Sequence, residues 1–338
     1  MKRAESQGYF NKKPEGAIMA LDFSFKPTMA KPAKTDYNLI IIGSGPAGLT
    51  AGIYASRAKI SSLIIEKAIA GGLATSTHWI ENYPGYPEGV GGTQLMNQFE
   101  AQARKFGAEF TQAEVVGIDF QEPWKIVRTF DTEYRAHAVI IATGTTPKRL
   151  GIPGEDKFWG RGVSYCATCD GPFFKNRNVV VIGTGSSGLQ EGLFLLTFVR
   201  SLSFVEFLPA MTGEKILQDR IAKNSNVKIH LNHLVTAING AEHVESVTIR
   251  NRSDDQEQTI SCQGVFIYVG LIPKTEFLKG IVELNRHGYI ITNENLETSV
   301  PGIFAAGDVR HKTVRQIATA SGDGATAAVM VQLYLENL

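Results

Sequence analysis

The first organised pattern in the chain is Asn38-Leu39-Ile40-Ile41-Ile42, an apolar run without polar alternation, as expected of a strand covered on both faces of a parallel sheet. It leads into Gly43-Ser44-Gly45-Pro46-Ala47-Gly48 and a helix-like segment from Leu49 to Lys59. A second apolar strand, Ser62-Leu63-Ile64-Ile65, ends on Glu66. Strand, G-x-G-x-x-G, helix, strand and acid together make the full dinucleotide-binding pattern, where a lone glycine motif would be weak evidence. Gly43 permits the tight turn, Gly45 lets the backbone approach a pyrophosphate, and Gly48 lets the helix pack close on the strand. The helix start offers free N–H groups to phosphates, and Glu66 is placed to accept hydrogen bonds from ribose hydroxyls.

The same pattern recurs. Asn178-Val179-Val180-Val181-Ile182 runs into Gly183-Thr184-Gly185-Ser186-Ser187-Gly188, a helix from Leu189 to about Phe198, and a strand Leu202 to Val205 that ends at Glu206. The glycine-to-acid interval is 23 residues in both copies, so the two segments are structurally equivalent and each is built to hold a nucleotide. Two nucleotides on one chain imply electron relay.

Length and composition narrow the class. At 338 residues the chain suits two domains, and 43% apolar with 20% charged residues is ordinary for a globular enzyme. A net charge of +1 gives no field that would point to nucleic acid, and no apolar run reaches the ~20 residues that span a bilayer. Residues 1–35 mix lysines with Pro14, Pro27 and Pro32, show no helical or strand period and lack an apolar signal core, so they read as a flexible extension. Cytoplasmic residence follows, with organelle targeting by this segment left open. Three cysteines are too few for a secreted disulfide framework. A zinc site would want a second Cys or His pair, and Cys262 stands alone in a strand-like run as a small core residue.

Between the two fingerprints lies Ser164-Tyr165-Cys166-Ala167-Thr168-Cys169-Asp170-Gly171. Thiols three positions apart close a disulfide where the backbone turns, typically at a helix N-terminus, whose positive end favours a thiolate. Asp170 offers a carboxyl group to move protons on and off the leaving thiolate; a plain helix cap is the alternative. For the cysteines the alternatives are two buried structural residues or half of a metal site.

On these residues the chain resembles the low-molecular-weight thioredoxin reductases, over about residues 37–338. Further matches are Gly71-Gly72, Glu81-Asn82-Tyr83-Pro84-Gly85, Ile141-Ala142-Thr143-Gly144, the closing Ile303-Phe304-Ala305-Ala306-Gly307-Asp308, and Arg315-Gln316. The resemblance implies an α/β fold of two Rossmann-like, three-layer ββα nucleotide-binding domains, the second inserted into the first. FAD would occupy 36–149 with 274–338, and the second nucleotide and the disulfide 150–273. It further implies that Gly307-Asp308 hold the FAD ribityl chain and that Arg315-Gln316 lie against the isoalloxazine. Lys67, Leu73, Val115 and Ile317 join the implied FAD set beside the glycine loop and Glu66. Thioredoxin or a thioredoxin-like protein would be the acceptor, the chain a homodimer, and the central domain a rotating body that presents either nicotinamide or disulfide to the flavin. By the same resemblance Cys166 attacks the substrate and Cys169 lies nearer the flavin.

One stretch departs from that family. Members using NADPH carry His-Arg-Arg after the second acid-bearing strand and a further Arg downstream; aligned on Glu214-Lys215-Ile216-Leu217, this chain has Glu206-Phe207-Leu208 and Thr212. A 2′-phosphate beside Glu206 would meet like charge without a nearby cation, at a cost on the order of several kcal/mol in a poorly hydrated site. A 2′-hydroxyl would gain a hydrogen bond. NADH is therefore favoured over NADPH, with a ferredoxin donor or a second FAD in the central domain as alternatives, and a flavin redox sensor without turnover as the non-enzymatic one. Ferredoxin–NADP reductases lack the CxxC pair, and residues 1–35 are too short for the extra redox module of alkyl-hydroperoxide-reductase flavoproteins. The seven histidines are scattered, and even His230 and His233 read as structural; Trp79, Trp124 and Trp159 read as packing residues.

Overall fold

The computed structural model describes residues 34–338, so the reading of 1–35 as an extension lies almost wholly outside the described residues. In the first half, β1 (Asp36–Ile42), β2 (Ser62–Glu66), β3 (Glu109–Gln112), β4 (Val115–Gln121), β5 (Trp124–Thr129) and β6 (Glu133–Ile141) form one sheet in the order β3-β2-β1-β6-β5-β4. β7 (Thr145–Pro147) leads out of it. A second sheet follows from β8 (Val163–Ser164), β9 (Asn178–Ile182), β10 (Ser201–Val205) and β11 (Val227–His230). The antiparallel meander β12 (His233–Asn239), β13 (Ser246–Asn251) and β14 (Glu257–Ser261) precedes β15 (Gly264–Ile267), which completes the order β11-β10-β9-β15-β8. β16 (Leu271–Pro273) then pairs antiparallel with β7, and β17 (Ile303–Ala305) rejoins the first sheet on β6.

β6 explains how the first sheet is assembled. Its leading residues pair antiparallel with β5, whereas Val139, Ile140 and Ile141 take β17 in parallel. One nine-residue strand thus hosts both a meander and the returning end of the chain. The helices α1 (Pro46–Arg57), α2 (Gly92–Phe106) and, from the far end of the chain, α6 (Ile317–Glu336) cover one face in a core with Leu39, Ile41 and Ile140. The opposite face buries Ile40, Ile42 and Val139 beneath the meander. The second half repeats the layering: α4 (Ser186–Leu195) and α5 (Lys215–Ala222) pack on Val179, Val181 and Phe204, and β12–β14 pack on Val180, Ile182 and Val205. A short helix, α3 (Ala167–Asp170), carries the cysteines. The unbroken apolar runs are thus central parallel strands buried on both faces.

Both fingerprint helices start earlier than their apolar residues suggest. Gly45 and Gly185 are the N-caps, and Pro46, without an N–H to lose, opens α1. α4 stops at Leu195 instead of near Phe198, because Thr197 and Phe198 tighten into turns bonded to Phe194 and Leu195. Gly43 and Gly183 both have positive φ, +103° and +101°, and a Cβ on either would overlap the carbonyl of Ala142 or Tyr268. Of the tryptophans, Trp124 packs on His137, but Trp79 and Trp159 are exposed. Trp159 lies under the Arg149 guanidinium and Trp79 lies over Gly89, so neither serves the core.

α6 rides on α1 through small residues: a Cβ on Gly324 would overlap the Ala47 carbonyl. Gly324→Ala should push α6 off α1 and destabilise the protein by about 1–3 kcal/mol, read as a lower urea midpoint at unchanged slope.

Candidate functional site

Each acid predicted to hold a ribose does something first for its own loop. Glu66 Oε2 accepts from the Ser44 N–H (2.9 Å) and Oγ–H (2.8 Å), and its Oε1 accepts from the Ala68 N–H (3.1 Å). Glu206 copies this, accepting from Thr184 N–H (2.8 Å), Thr184 Oγ1–H (2.7 Å) and Leu208 N–H (3.0 Å). Ser44 and Thr184 are fully buried, so each carboxylate pins the glycine turn to the end of the neighbouring strand. With the turn held, the unspent N–H groups of α1 and α4 face outward from caps that make no side-chain bond. A Cβ on Gly45 would meet nothing within 4 Å, and one on Gly185 only the Thr212 hydroxyl at 3.9 Å.

Both loops open on one cavity of about 1110 Å³. Pockets for a single small ligand run to roughly 300–1,000 Å³, so this volume suits a large one. Of the expected residues it is lined by Gly43, Gly45, Pro46, Ala47, Glu66, Lys67, Gly72, Leu73, Asn82 and Val115 near the first loop. Ala142, Thr143, Gly144, Gly307, Asp308, Arg315, Gln316 and Ile317 line its far side, and Gly185, Ser186, Ser187 and Gly188 come from the second half. Ser44, Gly48, Gly71, Gly183 and Glu206 do not line it. Gly48 and Gly188 stand too close to the preceding glycine carbonyl for any Cβ, so their part is packing, and Ser44 and Glu206 act from behind the loop wall.

At the far wall Asp308 Oδ1 and Arg315 Nε are buried without a hydrogen-bond partner, although Lys312 Nζ stands 3.8 Å from that Asp308 oxygen. Burial pushes the Asp308 carboxyl up, against the pull of Lys312 and Arg315. Asp323 beside it is fully engaged: it accepts from Gly307 N–H, Arg310 and Lys312, and the two cations outweigh burial to hold its carboxyl below the usual range. Nothing in the sequence pattern marked Asp323, Arg310 or Lys312, because their meeting depends on how α6 returns under the Gly307-Asp308 turn.

Cys166 and Cys169 are joined in a disulfide with Cα atoms 5.3 Å apart. Cys166 is the N-cap of α3, its Sγ accepting from the Cys169 N–H at 3.1 Å, so the expected helix N-terminus is present in a single turn. Cys166 lines the cavity; Cys169 is exposed on the outer side. Asp170 makes no side-chain cap on the following turn, which removes that alternative; its carboxylate accepts from Ser164 Oγ–H at 2.6 Å. Tyr268 Oη accepts from the Ala167 N–H at 3.0 Å, tying α3 to the end of β15. Near that tyrosine, Glu191 is nine-tenths buried in the cavity wall with Oε2 unpartnered, and burial pushes its carboxyl up to about 7. An acid inside the apolar run Leu189–Leu195 was the one visible sign of it. Cys262 is fully buried, and burial pushes its thiol up to about 12.

The corner around Glu206 corrects one expectation. Sequence inspection found no cation near Phe207-Leu208, yet Arg252 reaches them from the β13–β14 turn, its guanidinium 3.7 Å from the Phe207 ring centre. Across the cavity, the first half's 78–81 loop meets the second half. His78 stacks on Phe194 at 4.1 Å, Gln190 donates to the Trp79 carbonyl, and Arg220 pairs with Glu81 at 2.7 Å. Among the described residues no group of three or more His, Cys, Asp and Glu side chains could hold a metal ion. No helix there is long and apolar enough to cross a membrane.

The "Pyridine nucleotide-disulphide oxidoreductase" family model matches residues 37–324. Thioredoxin reductase of Bacillus subtilis (strain 168) is 43% identical over 303 residues, 89% of this chain and 96% of that one. Among solved structures, Lactococcus lactis thioredoxin reductase in its FR conformation superposes with a TM-score of 0.88 at 38% identity, over 89% of this chain and all of that one. The T. acidophilum thioredoxin reductase gives 0.86 at 39% identity, over 90% and 99%. The chain belongs to the pyridine nucleotide-disulphide oxidoreductase family, in its low-molecular-weight thioredoxin reductase class.

Glu191 carries the pH dependence of this site. A carboxyl at about 7 in the fold and about 4.5 when unfolded binds more protons folded than unfolded between those values. Its contribution is therefore lost as pH rises from about 4.5 to 7, a swing on the order of 3 kcal/mol. Glu191→Gln should melt higher than the parent at pH 8 and near it at pH 4.5; equal melting at pH 8 would refute the assignment.

Proposed function

Given that membership, we propose that the protein is a thioredoxin-disulfide reductase that takes electrons from NADH in preference to NADPH, passes them through FAD to Cys166–Cys169, and delivers them to thioredoxin or a similar dithiol protein. The observation that carries this reading is the placing of both glycine loops and Cys166 on one cavity. We take 36–149 with 274–338 as the FAD half and 150–273 as the inserted half; the chain crosses between the two sheets only at the β7–β16 ribbon, in keeping with those limits.

The residues fit FAD. Gly45 leaves room for a pyrophosphate, α1 offers its N–H groups, and Asp308 Oδ1 and Arg315 Nε, buried without hydrogen-bond partners, would bond the polar atoms of the flavin end. When bound, FAD supplies a carrier that accepts an electron pair from the donor and releases it to a disulfide. The protein's own side chains do the rest. The disulfide takes two electrons and two protons and opens to two thiols; Asp170, oriented by Ser164, holds a proton beside the pair. The Cys169 N–H at Cys166 Sγ favours a thiolate there, which supports Cys166 as the attacking sulfur. Its thiolate displaces one sulfur of the partner's disulfide to form a mixed disulfide; the Cys169 thiolate then attacks Cys166 Sγ, re-forming Cys166–Cys169 and releasing the partner, which leaves as a dithiol once its two thiolates are protonated.

The preference for NADH is supported by the acid Glu206 that closes the second fingerprint, and by Phe207, Leu208 and Thr212 at the positions where NADPH-using relatives carry cations. In anaerobic titrations followed by flavin absorbance, NADH should bleach the flavin at a concentration about tenfold or more below that required of NADPH. Bleaching by NADPH alone, or by reduced ferredoxin alone, would overturn the choice of donor. Cys169→Ser should trap thioredoxin as a mixed disulfide released by dithiothreitol, with turnover abolished and FAD retained. Trapping by Cys166→Ser instead would reverse the two roles.

A further inference from the structure

Arg252 belongs to no ion pair among the described residues, yet it is held more firmly than a surface arginine usually is. Its Nη1 donates to the Phe207 carbonyl (3.0 Å) and to Asn232 Oδ1 (3.2 Å), and its guanidinium carbon lies 3.7 Å from the Phe207 ring centre. Asn232 is itself fixed, in a left-handed conformation (φ 59°), with its N–H on the Leu208 carbonyl and its side-chain amide on Ser253 Oγ. The Arg252 N–H returns to the Asn232 carbonyl, and the His233 N–H binds the Glu206 carbonyl. A turn from 230 to 233 and the β13–β14 turn are thereby laced to the three residues that follow the second acid-bearing strand. Side-chain entropy has been spent in advance to hold the guanidinium at this place.

We propose that Arg252, seated on Phe207, is the adenine platform of the second nucleotide site and a specificity determinant for a dinucleotide that ends in an unphosphorylated adenosine. The inference rests on the reading of that fingerprint as the donor site and identifies how this chain replaces the basic cluster. A planar cation seated on an aromatic ring can offer its outer face to a second planar π system. Phe207, half exposed, immediately follows Glu206, so the platform stands just beyond the end of the second acid-bearing strand. Arg252 brings a single positive charge there, and its Nη1 is already spent on two oxygens. Adenine recognition by shape and π contact asks for one flat cation; a 2′-phosphate is ordinarily met by several.

The test uses the FAD-loaded full-length protein, calorimetry with ADP-ribose and with its 2′-phosphorylated form, and kinetics with NADH and with reduced nicotinamide mononucleotide, which lacks adenosine. Arg252→Ala should weaken ADP-ribose about tenfold and raise the NADH KM by a like factor with a much smaller change in kcat. The difference between variant and parent should vanish with the mononucleotide. Arg252→Lys, which keeps charge and loses the plane, should behave as the alanine variant; full rescue by lysine would overturn the stacking role. A larger loss for the 2′-phosphorylated ligand than for ADP-ribose would make Arg252 a phosphate receptor and also overturn it. Equal ADP-ribose binding by parent and variant refutes the platform and leaves the donor reading standing. Absence of ADP-ribose binding in the parent refutes both. Unchanged melting and FAD content in both variants separate these outcomes from misfolding.

Discussion

Everything at this site depends on two carboxylates that brace its glycine loops, Glu66 in the cavity wall and Glu206 behind it. Glu66 and Glu206 each gather two N–H donors and a hydroxyl, and hydrogen bonds to a charged acceptor are worth about 1.5–3 kcal/mol each. They clamp the first glycine turn of each half to the strand beside it. That clamp keeps Gly45 and Gly185 bare and the helix starts uncapped, which is what makes the loops receptive to an anion. The acids are therefore structural parts of their loops, and the equality of the two copies extends from spacing to individual bonds.

The pattern of apolar runs made the central strands legible, since Ile40 to Ile42 and Val179 to Ile182 are buried on both faces and had no polar alternation to misread. The glycine loops and the Cys166–Cys169 turn were legible because their chemistry is written in adjacent residues. What escaped was set by distant pairings. Asp323 joins Gly307 and Arg310 only because α6 returns beneath the first sheet, and Arg252 reaches Phe207 only through the β13–β14 turn. The exposed Trp79 and Trp159 show the converse: a large apolar side chain reports its own hydrophobicity and not whether a core lies within its reach.

The disulfide turn and the second glycine loop are held on different physical terms. A one-turn helix places Cys166 where a backbone N–H can stabilise sulfur charge, and Tyr268 and Ser164 hold that turn and its acid in place. At the second loop Glu206 is buried and engaged by its own turn, while Phe207 and Leu208 just beyond it are exposed and reached by the neighbouring turns.

The β7–β16 ribbon has a meaning beyond marking where the chain crosses. Leu271 pairs directly with Pro147, so the whole second half leaves and re-enters the first through strands that lie side by side. To the first sheet, that long segment is topologically a hairpin. The entropy of closing it is met inside the inserted half by its own parallel sheet, because loop-closure cost grows only with the logarithm of length once the ends are held. Each half can thereby complete its own sheet while the two line one cavity.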